Sequence, residues 1–326
     1  MAFLTGFHYT ALLSSLALLM PGPAAAQPDT YPSKPITLVV AYPAGGSTDL
    51  TGRVLGLELS KKLGVPVIIE NVGGAGGAIG AQKVANAAPD GYTLLVGASN
   101  EIAITRLVSS AVKYDIKDFT PIGLIATQPM VLVASQSSGV KTVEQFMRQV
   151  GQNPGKYSYG SSGVGTALHL AGEMMKDQGG IFMTHIPYRG VAPLANDLLG
   201  NNIDFGVFVL SSGLPHIRSG KVVALGTTEA KRSPMTTDIP ALAETPKLKG
   251  IDINIWFALV GPAGMPAPVV AKLKTALNES LQTATLRKKL EDSGSTVSPL
   301  NVNMPAFLKQ ESAKYQRIVD FAKIKE

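Results

Sequence analysis

Two glycine-rich turns, more than a hundred residues apart and each leading from a short apolar run into an amphipathic one, constrain this chain more than any other feature. The first, Tyr42-Pro43-Ala44-Gly45-Gly46-Ser47-Thr48-Asp49, follows the run Ile36-Thr37-Leu38-Val39-Val40. The second is Tyr159-Gly160-Ser161-Ser162-Gly163-Val164-Gly165-Thr166. A helix N-terminus carries unpaired N–H groups and a partial positive charge, and glycine there lets an anionic group come close to the backbone. Two such ends facing each other would grip a small carboxylate.

Around these turns, short β-branched runs alternate with helical periods, the pattern of parallel βαβ units. Strands are expected at 36–41, 67–70 and 93–96, with helices at 48–63 and 77–87, so a first α/β lobe is in place by about residue 125. A second lobe follows, with strands at 130–134, 157–159, 184–186, 203–207 and 222–226. Its helices are expected at 142–150, 166–178, 192–199 and 214–219. A strand at 253–260 and helices at 266–283 and 304–322 then return to cover the first lobe. The expected division is residues 27–127 plus 230–326 for lobe 1 and 128–229 for lobe 2. The chain would cross between lobes twice, leaving a cleft at the hinge, where ligand sites tend to form.

Residues 1–26 read as a signal peptide. Positions 11–20 give an apolar segment too short to span a bilayer, and Ala24-Ala25-Ala26 before Gln27 supplies the small residues a signal peptidase needs, although His8 stands where Lys or Arg is usual. The chain has no cysteine, which suits an oxidising compartment and excludes disulfides, thiolate metal sites and lipid attachment through cysteine. About 300 residues then remain, enough for two domains. The formal charge of +6 is spread along the chain with no aromatic-studded basic run, so nucleic acid is not an expected partner.

Several motifs fall short of catalysis. From Gly74, the dinucleotide-binding fingerprint would need glycine at the sixth place, which is Ile79. Ser162 with His169 suggests an alternative, a periplasmic hydrolase in a similar two-lobed shell. The nucleophile elbow, however, needs glycine on both sides, and Val164 fills one of those places. The histidines His8, His169, His185 and His216 have no zinc-ligand spacing. Arg189, in Pro187-Tyr188-Arg189-Gly190, has the fork geometry that grips a carboxylate. Trp256 and Phe257 read as core.

The order of these segments carries a resemblance. Both glycine-rich turns, Glu70-Asn71-Val72-Gly73-Gly74-Ala75-Gly76-Gly77, Pro89-Asp90-Gly91-Tyr92-Thr93-Leu94, Pro187-Tyr188-Arg189-Gly190 and Leu214-Pro215-His216-Ile217-Arg218-Ser219-Gly220-Lys221 follow one another as in one family. Lys231-Arg232-Ser233-Pro234 and Gly261-Pro262-Ala263-Gly264 continue the series. From about Tyr31 onward the chain resembles the Bug-type extracytoplasmic solute receptors, the substrate-binding proteins of tripartite tricarboxylate transporters. The resemblance implies a type II two-lobed periplasmic-binding-protein fold, each lobe a mixed sheet flanked by helices, with the ligand cleft at the hinge. It implies a soluble periplasmic monomer that binds a small organic acid, a di- or tricarboxylate or an aromatic carboxylate. Such a receptor delivers its ligand to the membrane subunits of the transporter, with no enzymatic activity, cofactor or metal.

The resemblance also implies which residues meet the ligand. The first turn would act through ordered waters with Tyr42, Ala44, Gly45, Gly46, Ser47, Thr48 and Asp49. The second would contribute Ser161, Ser162, Gly163 and Thr166, joined by His169, Tyr188, Arg189 and Phe208. Ser99 and Asn100, in Ser99-Asn100-Glu101, are expected to line the cleft. One departure bears on the ligand: Val209 stands where many members carry an acidic residue, so a ligand ammonium lacks a counter-charge.

Overall fold

The computed structural model describes residues 1–2, 31–233 and 236–324. His8, the apolar run 11–20, the cleavage segment 24–26 and Pro234 lie outside the described residues. Among the described residues, no helix is long and apolar enough to cross a membrane.

Ile36–Val40 forms β1, buried at every position but Thr37, and the first glycine-rich turn carries it into α1, Ser47–Leu63. The helix lies close on the strand because Gly52 has no side chain. A Cβ there would stand 2.8 Å from Val40 Cγ2. β2 (Val67–Asn71), α2 (Ala78–Ala85) and β3 (Thr93–Ala98) follow, and β1 pairs parallel with both neighbouring strands. One π-helical turn, Asn100–Ile104, and the short α3, Thr105–Val108, then form where the sequence suggested only cleft-lining residues.

β4, Phe119–Ser135, is 17 residues long, although only 130–134 reads as a strand in the sequence. Pro121, Gly123 and Pro129 disguise its first part, and the ladder absorbs two of them by shifting register between Pro121 and Gly123. β4 serves two sets of strands. Over residues 119–129 it pairs antiparallel with β9 (Asn254–Pro262), which also pairs with β3. From Met130 onward it pairs antiparallel with β7 (Phe205–Val209) and β8 (Val222–Thr227). The second set is completed by β5 (Ser158–Ser161) and β6 (Thr184–Pro187), with β5 parallel to both β6 and β7.

Helices α4 (Val143–Gln152), α5 (Ala167–Gly179), α6 (Val191–Leu199) and α7 (Leu210–Arg218) flank this second set. Leu194 and Leu198 of α6 and Leu210 and Leu214 of α7 share a core with Val131 and Phe208. α7 begins four residues before the expected 214, because Ser211-Ser212-Gly213 reads locally as a loop. On the first set, α8 (Ala267–Leu281) and α10 (Met304–Ala322) match the expected helices closely. α9 (Ala284–Asp292) and β10 (Thr296–Val297) were not expected. Trp256 is buried, with its indole N–H donating to Glu311 Oε2 at 3.0 Å.

The two chain crossings are tied together. The Met130 N–H donates to Thr228 Oγ1 at 3.1 Å, and the Thr228 hydroxyl donates to the Ile253 carbonyl at 2.6 Å.

Candidate functional site

The first turn is stapled from beneath by Asp49. Its Oδ2 accepts the Gly45 N–H and Arg53 Nε, each at 2.9 Å, and its Oδ1 accepts Asn71 Nδ2 at 2.9 Å. Burial pushes this carboxyl up, but the donors from Arg53, Gly45 and Asn71 outweigh burial and hold it below the ordinary carboxylate range. Asp49 therefore shapes the turn from the protein side. No side chain caps α1 at Gly46, and among the described residues no acceptor meets the N–H groups of Ser47 and Thr48. These donors face a cavity.

The second turn is closed by the protein itself. Thr166 Oγ1 accepts the His169 N–H at 3.4 Å, and Asn100 Oδ1 accepts the Ala167 N–H at 2.7 Å. His169 Nδ1 accepts the Gly165 N–H at 3.1 Å. His169 and His185 stack with ring centroids 3.9 Å apart, and Ser161 Oγ shares a 2.7 Å hydrogen bond with His185 Nε2. Burial, then the neighbouring His169, drives the His185 imidazole down to about 3. The serine that meets a histidine is thus Ser161 rather than Ser162. Ser161 is fully buried and lines neither cavity, so this arrangement does not present a nucleophile.

A polar relay joins the two turns. Asn100 Nδ2 donates to the Tyr42 hydroxyl oxygen at 2.9 Å. The Tyr42 hydroxyl in turn donates to the Gly76 carbonyl at 2.8 Å and lies 3.1 Å from Glu101 Oε2. Glu101 is fully buried, and burial raises its carboxyl to about 7 even though its Oε1 accepts the Ala98 N–H at 2.6 Å.

A cavity of about 390 Å³ opens between the two strand sets. Of the residues expected from sequence, it brings together Tyr42, Ala44, Gly45, Gly46, Ser47, Thr48, Asn100, Ser162 and Arg189. Gly163 and Tyr188 instead line a second cavity, of about 1220 Å³, which shares Tyr42, Ser162 and Arg189 with the first. Asp49, Ser99, Ser161, Thr166, His169 and Phe208 line neither, each for a physical reason. Asp49 staples its turn, Thr166 accepts the His169 N–H of α5, His169 accepts the Gly165 N–H of the turn, Ser161 is bound to His185, and Ser99 and Phe208 are buried in the interior.

Sequence reasoning reached Val209 of the far wall but missed the rest. Val191, Ala192, Pro193, Ser211, Ser212 and His216 line the smaller cavity from α6 and α7, beside Val209. Neither α6, which starts after Gly190, nor α7, which starts after Val209, has a side-chain cap. The cavity thus faces three uncapped helix starts, those of α1, α6 and α7, whereas the start of α5 is capped. The repeated pattern of strand end, small residues and helix was visible at Val209-Leu210-Ser211-Ser212-Gly213, but without a glycine-rich run to mark it. Arg189 makes no ion pair or hydrogen bond among the described residues, and no Asp or Glu lines either cavity. The chemistry this favours is anion binding.

Comparison with known proteins gives a consistent picture. Residues 51–324 match the family model described as the tripartite tricarboxylate transporter family receptor. Among solved structures, the chain is similar to the periplasmic binding protein BugD, at 33% identity and a TM-score of 0.85 over 90% of this chain and 99% of that one. It is similar to Rpa4515 of R. palustris with adipate, at 31% identity and a TM-score of 0.86, covering 90% of this chain and 99% of that one. It is also similar to MatC of Rhodopseudomonas palustris with bound malate, at 29% identity and a TM-score of 0.83, covering 89% of this chain and 100% of that one.

Proposed function

This chain belongs to the tripartite tricarboxylate transporter receptor family, as a Bug-type solute receptor with the α/β fold of periplasmic binding proteins, and from that premise we propose what it binds and how. It takes up a small organic acid in the cavity between the two strand sets and hands it, chemically unchanged, to the membrane subunits of a tripartite tricarboxylate-type transporter. It does so as a periplasmic monomer released from its leader near Ala26, with residues 27–127 and 230–326 forming one lobe and 128–229 the other. No cofactor takes part.

One observation carries the ligand class. The 390 Å³ cavity presents uncapped helix starts and the unpaired Arg189, and no carboxylate side chain lines it to neutralise them. A ligand carboxylate supplies the missing negative charge, and the related structures that hold adipate and malate agree with that class.

Titration calorimetry with matched pairs, each an organic acid and its amide, tests the reading. The acids should bind and the amides should bind far more weakly, because a neutral group gains less from helix starts and a guanidinium. Equal affinity for both would remove the anion argument.

A further inference from the structure

The relay between the two turns is short of one proton. The Ala167 N–H donates to Asn100 Oδ1 at 2.7 Å and so fixes that amide, which leaves Nδ2 as the group donating to the Tyr42 hydroxyl oxygen at 2.9 Å. Tyr42 gives its single hydroxyl proton to the Gly76 carbonyl at 2.8 Å. Glu101 Oε2, 3.1 Å from the same hydroxyl oxygen, then faces a lone pair. The other carboxyl oxygen, Oε1, already accepts the Ala98 N–H at 2.6 Å. The set is complete only when Oε2 carries a proton and donates it to Tyr42. An ionised Glu101 competes with Gly76 for the one phenolic proton and leaves a buried acceptor unmet.

No cation stands in for that proton. Glu101 is fully buried and makes no ion pair among the described residues. Tyr114, after α3, donates its hydroxyl to the Glu101 backbone carbonyl at 2.6 Å. At the start of α2, Gly77 closes over the carboxyl, for a Cβ there would stand 3.0 Å from Oε2. The cations of the surrounding elements are engaged elsewhere: Lys83 of α2 with Glu70, Arg106 of α3 with Asp115, and Lys113 with the Ser110 carbonyl. α10 packs on the same π-helical turn, but its Glu311 is held by Trp256 and Lys314, and its Tyr315 by the Asn254 carbonyl.

The junction belongs to the cavity walls. Tyr42 and Asn100 line the smaller cavity, and Tyr42, Gly76, Gly77 and Tyr114 line the larger, whereas Glu101 lines neither. We propose that Glu101 is a proton-binding positioning residue: protonated, it completes the bonds that hold Tyr42 and Asn100 in the wall, and uptake of an organic acid draws a proton onto it. This rests on the carboxylate reading above. A ligand carboxylate and an ionised Glu101 repel each other through a water-poor interior, so ligand and proton each raise the affinity for the other by the same factor. For like charges about 10 Å apart at an effective dielectric of about 20, that factor is roughly tenfold. Burial raises the carboxyl of the free protein to about 7, so affinity should be level below that pH and fall above it.

The test is calorimetry on the purified protein with adipate and malate, the acids held by the related structures. Titrations in HEPES and in Tris, whose ionisation enthalpies differ, count the protons taken up. Wild type should take up about half a proton per acid at about pH 7.5 and bind at least about threefold more weakly at about pH 8.5 than at about pH 6. In Glu101→Gln the amide donates to Tyr42 and accepts from Ala98 as the protonated acid does. This variant should take up no proton and bind more tightly than wild type at about pH 8.5. If wild type takes up none, or the variant takes up as many, the proposal is wrong and the receptor reading stands. If neither acid binds at any pH, the carboxylate reading fails and the coupling fails with it. Infrared difference spectra of the free protein between about pH 6 and about pH 8.5 give a readout without ligand. A buried carboxylic acid should lose its proton in wild type and not in Glu101→Gln, and the same spectrum in both would overturn the proposal.

Discussion

The side-chain carbonyl of Asn100 accepts the backbone N–H of Ala167 at 2.7 Å, so a residue beside the first strand set caps a helix that belongs to the second. The same amide donates to the Tyr42 hydroxyl of the first turn. Asn100→Ala leaves the buried Ala167 N–H without its acceptor and should lower stability by about 1–3 kcal/mol. Chemical denaturation measures this, and an unchanged midpoint would show that the bridge contributes nothing.

Glu101 should make stability depend on pH. Its carboxyl is raised from 4.5 to about 7 by burial. Between those values the folded state keeps a proton that the unfolded state has released. Stability from this group therefore falls as pH rises through the window and is level on either side. Glu101→Gln lacks the titration. The stability of the variant relative to wild type should rise across the window by up to about 3 kcal/mol. Parallel denaturation curves at about pH 4.5 and about pH 7.5 would reveal it, and an identical pH slope in both proteins would disprove it.

Ser162 lines both cavities and makes no hydrogen bond among the described residues. As a ligand donor, its loss in Ser162→Ala should weaken binding of an organic acid by about 1.5–3 kcal/mol and leave the melting temperature of the free protein unchanged. Mass spectrometry of the ligand after incubation with wild type should show it intact. Conversion by wild type that the variant lacks would mark Ser162 as a nucleophile and overturn the receptor reading.

Gly165 meets Val108 where the second turn touches α3. It has φ +67°, and a Cβ there would lie 2.1 Å from Val108 Cγ2. Gly165→Ala should destabilise the protein by about 1–3 kcal/mol through backbone strain and overlap together. Adding Val108→Ala relieves the overlap at the cost of its own buried methyl groups, so the double variant should be less destabilised than the sum of the two single variants. A strictly additive result would exclude the contact as the cause.

The sequence reveals those features whose causes are local. α10 was expected at 304–322 and lies at Met304–Ala322, because its apolar spacing and its Asn303 cap sit within one stretch of chain. The α1 turn is legible for the same reason. The closure of the second turn is not, since the partner of Ala167 is Asn100, 67 positions away. Local pattern shows a glycine-rich helix start but not whether another part of the chain already occupies it. Likewise the strand at 119–129 is hidden by its prolines, and only its pairing with β9 makes it a strand. Most of the far wall of the cavity was missed because Ser211 and Ser212 look like ordinary loop residues until α7 turns them inward.

The partner exchange along β4 has a kinetic consequence. Every strand of the second set lies within residues 130–227, one continuous stretch, so that sheet can form as soon as this stretch is available. The first set cannot close until β9 inserts between β3 and β4, as when Leu95 meets Val260, a loop of more than 150 residues. Long-range pairing of this kind is slow, because the entropy of loop closure is lost before any contact compensates for it. Amide protection in pulse-labelled refolding should therefore appear first in β5, β7 and β8 and last in β3 and β9. β3, translated before any strand of the second set, is then among the last to become resistant to exchange and proteolysis.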